Sequence, residues 1–182
     1  MDTTAASLYW HVRDKALLED WLFESLLGEV RLTLAGRDWR DDLRAIARQM
    51  RAHLMAKRDM QRVSAGRFVL GPALLRQMET ILGVLRGGGL ANRDAAFAVY
   101  TLLTYVNGFV LFQTSRLSAA QASGVKRRDV LEKLRRQLAA LPADTYPNSI
   151  AVAEDLTADD PDVRFDFGLD LLIEGLGRRR HA

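Results

Sequence analysis

Apolar residues recur at intervals of three and four through most of the chain, the pattern of helices that each bury one stripe. From Asp14 onward Leu17, Leu18, Trp21, Leu22, Leu26, Leu27 and Val30 keep that spacing. Asp14 therefore reads as the N-cap of a helix of about five turns that Gly36 ends. A second helix opens at Asp38 or Trp39, carries Leu43, Ile46, Ala47, Met50 and Leu54 on one face, and runs to about Arg58. A short segment, 60–66, leads to LGPALL, where Pro72 suits the first turn of a helix through Leu75, Met78, Leu82 and Leu85, and RGGGL stops it. The segment from Asp94 to Ser118 is apolar nearly all round, which predicts burial on more than one side. A polar helix over 126–140, a loop, a short helix from Pro147 and an acidic loop follow. The last helix sets Phe165, Leu169, Leu172, Ile173 and Leu176 on one stripe and closes on three arginines, favourably placed against a negative helix end. No alternating pattern of strand length and no internal repeat occurs, so the predicted fold class is all-α.

Composition narrows the setting. At 182 residues, 48% hydrophobic and 27% charged, the chain can bury the core of one domain or slightly more. Cysteine is absent, which removes disulfides, thiolate metal sites and cysteine nucleophiles and suits a reducing compartment. No apolar run approaches the ~20 residues of a membrane span, and the N-terminus lacks the order of a signal peptide. The expectation is a soluble, cytoplasmic protein with no membrane partner. A net charge of +3 is too small to establish nucleic-acid binding by itself.

Candidate chemistry is sparse. His11, His53 and His181 are far apart and none has a histidine or carboxylate at metal-box spacing. Hydroxyls such as Ser64 lack a base nearby in sequence, and RGGGL is wrongly followed for a nucleotide loop. No catalytic residue, metal or cofactor is expected, and the chain does not read as an enzyme. His53 follows Ile46 and Met50 on the inner face of its helix, as a satisfied core histidine or a ligand donor. Thr104 and Asn107 are set among Val99, Leu103, Phe109 and Phe112. Such placement lines a pocket, or else packs a core in which Asn107 is bonded to backbone.

The opening block answers what these helices are for. TTAASLYWHVRDK places small and hydroxyl residues ahead of Tyr9, Trp10 and His11, side chains that let a helix enter a groove and that donate to phosphates. On the residues alone, packing of Tyr9 and Trp10 on the following helix is favoured over a contact with DNA. SLYWHVRDKALLEDWL resembles the end of the DNA-binding helix-turn-helix of the tetracycline-repressor (TetR) family. RFDFGLDLLIEGL, 164–176, and the segment 39–59 are similar to that family's regulatory domain. The resemblance implies DNA contacts at Ser7, Tyr9, Trp10, His11 and Lys15. It also implies an effector held by Ile46, Met50, His53, Ser64, Phe68, Met78, Leu82, Val99, Leu103 and Asn107.

On this reading residues 1–13 are a remnant of the helix-turn-helix, and 14–182 form a helical ligand-binding and dimerisation domain. The family places two further helices and a tight turn before the recognition helix, where this sequence has Met1-Asp2-Thr3. Operator binding is accordingly expected only with those helices in place. Family members that respond to tetracycline bring a magnesium-binding histidine near the position of Ser64, so a magnesium–tetracycline effector is not expected. The implied function is a homodimeric repressor released from operator DNA by a small apolar effector. The alternative is a headless small-molecule-binding or dimerisation protein without DNA affinity.

Overall fold

The computed structural model describes residues 15–57, 69–122 and 124–180, with backbone only for 116–122. Among the described residues all regular structure is helical: α1 (Lys15–Gly28), α2 (Trp39–Ala56), α3 (Pro72–Gly87), α4 (Asn92–Ala122), α5 (Arg127–Ala139), α6 (Pro147–Ala151), α7 (Ala153–Thr157) and α8 (Pro161–Arg179). The chain divides into two compact units, 1–111 with 168–182, and 112–167.

In the first unit α1 stops at Gly28, not at Gly36 as its apolar spacing suggests. The eight residues beyond it contain Val30 and Thr33, whose branched side chains favour extended backbone. A side chain from α2 then holds them there. The Gln49 amide oxygen accepts from the backbone and hydroxyl of Thr33, at 2.9 and 2.8 Å, while its nitrogen donates to the carbonyls of Thr33 and Ala45, at 2.7 and 3.0 Å. Gly36 has φ +73° and serves a turn. Its N–H donates to Asp42 Oδ1 at 2.8 Å, and Asp38 caps α2 by accepting from the N–H groups of Arg40 and Asp41 at 2.7 and 2.9 Å.

The buried stripe of α2 (Trp39, Leu43, Ile46, Ala47, Met50, Leu54) follows its sequence pattern. That of α3 is turned by one residue: Ala73, Leu74, Gln77, Ile81, Val84 and Leu85 are buried, whereas Leu75 is exposed and Met78 and Leu82 are half-buried. Both stripes have helical spacing, and counting apolar residues favours the one without Gln77. The fold takes the other, and Gln77 there donates to a carbonyl of α1.

Helix α4 buries Ala95, Ala98, Val99, Leu102, Val106 and Val110 at three- and four-residue intervals. Its segment Asn92–Ser115 is, by length and composition, long and apolar enough to cross a membrane, although only 33% of its most apolar window is buried. That corrects the expectation that no such run exists. The buried stripe makes α4 a core helix, and Phe97 and Tyr100 leave a second apolar face open. Helix α8 is tied in at both sides by Arg44–Asp170 (2.7 Å) and Arg179–Asp94 (3.3 Å). A Cβ on Gly168 would overlap the Tyr105 hydroxyl, so glycine permits that close approach.

The second unit contains the polar helix α5, which has no buried residue, and the short α6 and α7. Within the stretch expected to be an acidic loop, α7 forms a turn of helix. Its open end is closed by Arg164, whose guanidinium donates to the carbonyls of Asp155, Leu156 and Ala158 at 2.6, 2.9 and 3.1 Å. Three carbonyls at the end of a helix are thereby satisfied by one planar donor.

Candidate functional site

The end of α1 is where the first unit concentrates polar side chains among apolar ones. Leu27 packs with Ala73 and Leu74, and Phe23, Met78 and Leu103 close around them. A helix end leaves its last carbonyls without partners in the helix, and here they are met from two other helices. The ring nitrogen Nε2 of His53, on α2, lies 2.8 Å from the Leu26 carbonyl. A carbonyl only accepts, so Nε2 carries the hydrogen. Gln77 Nε2, on α3, donates to the Leu27 carbonyl at 2.9 Å, which also accepts from Val30 N–H at 3.1 Å.

The reciprocal contact runs from α1 to α3. Gly71 precedes α3 without a capping side chain of its own, and the Glu24 carboxylate takes that role, accepting from Ala73 N–H at 3.0 Å and Leu74 N–H at 3.5 Å. Negative charge at a helix N-terminus is favourable. A Cβ on Gly71 would overlap this carboxylate, so glycine is required for the carboxylate to reach. Just past α1, Lys57 Nζ sits 2.9 Å from Glu29 Oε2. That hydrogen bond, with smaller contributions from the charges of Lys57 and His53, holds the Glu29 carboxyl below its ordinary range against a desolvation effect.

The residues expected to bind an effector are spread over these helices. Ile46, Met50 and Val99 are buried, and His53, Leu82, Met78 and Leu103 are half-buried. Met78 and Leu103 meet in the cluster around Leu27, and His53 grips the preceding residue of α1. Ser64 and Phe68 lie outside the described residues. Asn107 corrects the picture of a buried amide: it is exposed, and its Nδ2 donates to the Leu103 carbonyl one turn back at 2.8 Å. A side chain that short reaches its own helix before it reaches another.

Of the residues expected to touch DNA, Ser7, Tyr9, Trp10 and His11 lie outside the described residues. Lys15 opens α1, exposed, with Glu19 Oε1 at 3.6 Å. Among the described residues no group of His, Asp and Glu side chains is arranged to hold a metal. Sequence reasoning missed Glu24 and Gln77. An amide at a core position of the Leu74–Ile81 stripe was the available signal for Gln77; nothing local marks Glu24, whose partner stands 49 residues on.

A second feature lies between α4 and α8 of the same unit. Phe97, Ala98, Thr101, Leu171, Leu172 and Leu176 line a groove of about 750 Å³. Phe97 and Leu171 are 59% and 56% exposed on its rim.

Residues 33–180 match the family described as tetracyclin repressor-like, C-terminal domain. The chain is similar to the class A tetracycline repressor from transposon 1721 of Escherichia coli, at 33% identity over 181 residues, 96% of this chain and 76% of the relative. It is also similar to the solved structure of Streptomyces coelicolor ActR in complex with actinorhodin, with TM-score 0.83 and 32% identity, covering 99% of this chain and 84% of that one. A TetR variant from Acinetobacter baumannii in complex with minocycline superposes with TM-score 0.63 at 28% identity, covering 97% and 81%. These relatives are transcriptional regulators, and with the matched residues spanning α2 to α8, the chain belongs to the tetracycline-repressor family of ligand-responsive transcriptional regulators.

Proposed function

We propose that this protein is a homodimeric repressor whose regulatory core, residues 14–182, takes up a small, largely apolar molecule and thereby repositions the DNA-reading part to which residues 1–13 belong. The observation that carries the reading is the end of α1. The helix that follows directly on residues 1–14 is held by side chains from α2 and α3, beside the apolar cluster that contains Met78 and Leu103. A molecule seated there changes the packing around α1 and so the direction in which its other end points. Leu17 and Trp21, one turn apart on α1, are exposed and offer an apolar seat to the DNA-reading helices. ActR with actinorhodin supports a small molecule as effector, and the serine at position 64, near where the resemblance puts the magnesium-binding histidine of tetracycline-responsive members, argues against a magnesium–tetracycline complex. The protein acts in the cytoplasm, where its operator is.

The dimer reading rests on the groove between α4 and α8. A second copy laid across it about a two-fold axis would cover Phe97 and Leu171, as an isologous contact does. Selection from a random-sequence DNA pool tests the whole reading, using the dimer with the two further helices of the helix-turn-helix in front of residue 1. Expected is enrichment of an inverted repeat with half-sites about 34–36 Å apart, retained less when actinorhodin is present. Recovery of no common sequence would overturn it.

A further inference from the structure

Gln77 is the most deeply buried polar group at the end of α1, with 3% of its surface exposed. Its two amide atoms are in opposite situations. Nε2 donates to the Leu27 carbonyl at 2.9 Å, whereas Oε1 is buried with no hydrogen-bond partner among the described residues. Turning the amide over would set oxygen against the Leu27 carbonyl and lose the only bond, so the assignment stands on chemistry. A buried acceptor left unpaired carries the desolvation cost of its water without return. Met and Leu fit the same helical stripe at no such cost. The amide is present at this position for what its nitrogen does to α1.

We propose that Gln77 is a positioning residue, the latch by which α3 fixes the C-terminal turn of α1. This inference rests on the reading that α1 carries the DNA-reading part. The latch has one side chain from each neighbouring helix. His53 holds the Leu26 carbonyl and Gln77 the Leu27 carbonyl, and Glu24 fastens the same turn to the N-terminus of α3. Two successive carbonyls gripped from two helices determine both the height and the rotation of the turn, which a purely apolar contact leaves free to slide. The unpaired oxygen makes Gln77 the weak member. Any hydrogen-bond donor that reaches Oε1, a hydroxyl or N–H of a bound molecule or a water, gives the amide a reason to move, and the Leu27 carbonyl then loses its donor from α3 and keeps the Val30 N–H. The class of effector that works this latch is therefore an apolar molecule bearing at least one hydroxyl or N–H group.

Hydrogen exchange on the full chain tests the latch without operator or effector. In Gln77→Leu, amides of residues 24–30 should exchange roughly three- to tenfold faster, the loss of one net hydrogen bond. Amides within α3 should be unchanged, and the melting temperature unchanged or higher, because the unpaired oxygen has gone. Gln77→Met keeps the length of the side chain and should behave alike if the leucine variant folds poorly. His53→Phe should loosen the same residues, whereas Gln77→Asn, one carbon too short to reach, should not rescue them. A lower melting temperature with faster exchange spread over α3, or no change at 24–30, would overturn the proposal. Failure of the protein to select an operator would leave this measurement intact, and effector-driven operator release with an undisturbed α1 turn would overturn the latch alone.

Discussion

At the scale of single residues, the caps are what convert an apolar pattern into helices of definite length. Asp38 is held below the ordinary carboxylate range first by the Asp41 N–H and also by that of Arg40, with the charges of Arg40 and Arg44 adding and desolvation opposing. A depressed carboxyl pKa means that the folded state binds its proton less readily than the unfolded chain. The cap's contribution is therefore complete above the ordinary Asp range and is lost as pH falls through the depressed value. Replacing Asp38 by Ala should lower the melting temperature at neutral pH by about 2–4 °C. Asp38→Asn keeps an accepting oxygen without the titration, so it should retain most of the stability and flatten the acid limb of a melting-temperature–pH curve. If Asp38→Asn and wild type lose stability in parallel on acidification, the cap is not the titrating group.

At the scale of elements, helices were legible wherever one periodic stripe met one cap, as in α2 with Asp38 and in α3 with Pro72 and the glycines that end it. The misread end of α1 and inner face of α3 share a cause in partners distant along the chain. The spacing of α1 continues to Val30, yet its end is decided by Gln49 and Gln77, which stand about 20 and 50 residues further on. The inner face of α3 was misassigned by one residue because a carbonyl of α1 recruits its amide. Asn107 reads as a pocket or core amide because α4 is apolar almost everywhere, and a helix with two apolar faces does not announce which one its own chain covers; the bond to backbone is present, but on an exposed side chain. The approach of α8 to α4 was equally invisible, since Gly168 reads in sequence as a weak helical residue and is in fact the space for the Tyr105 hydroxyl. Gly168→Ala should cost about 1–3 kcal/mol, the usual range for overpacking. Tyr105→Phe, which withdraws the overlapping oxygen, should recover part of that loss in a double-mutant cycle followed by denaturant unfolding. Additive losses would show that the two residues do not press on one another.

At the scale of the whole molecule, the question is which apolar surface belongs to the fold and which to a second copy. The two leucines two positions apart on α8 separate these roles, because side chains about 200° apart on a helix face nearly opposite ways. Leu169 is fully buried within one chain, whereas Leu171 is 56% exposed at the rim of the groove between α4 and α8. An arginine at Leu169 would be an unpaired charge inside the core, which costs about 3–5 kcal/mol or more and should abolish folding, not merely separate subunits. An arginine at Leu171 meets water in the single chain and leaves its melting behaviour nearly unaltered at concentrations where the wild type is itself dissociated. In a dimer closed across this groove the two-fold axis brings the same substitution in twice, so each interface carries two buried like charges. Sedimentation at micromolar concentration should then give a wild-type dimer and a folded Leu171→Arg monomer with unchanged helical content. Leu171→Arg sedimenting as a stable dimer would place the interface on another surface, and Leu169→Arg folding normally would contradict the burial of the α8 stripe.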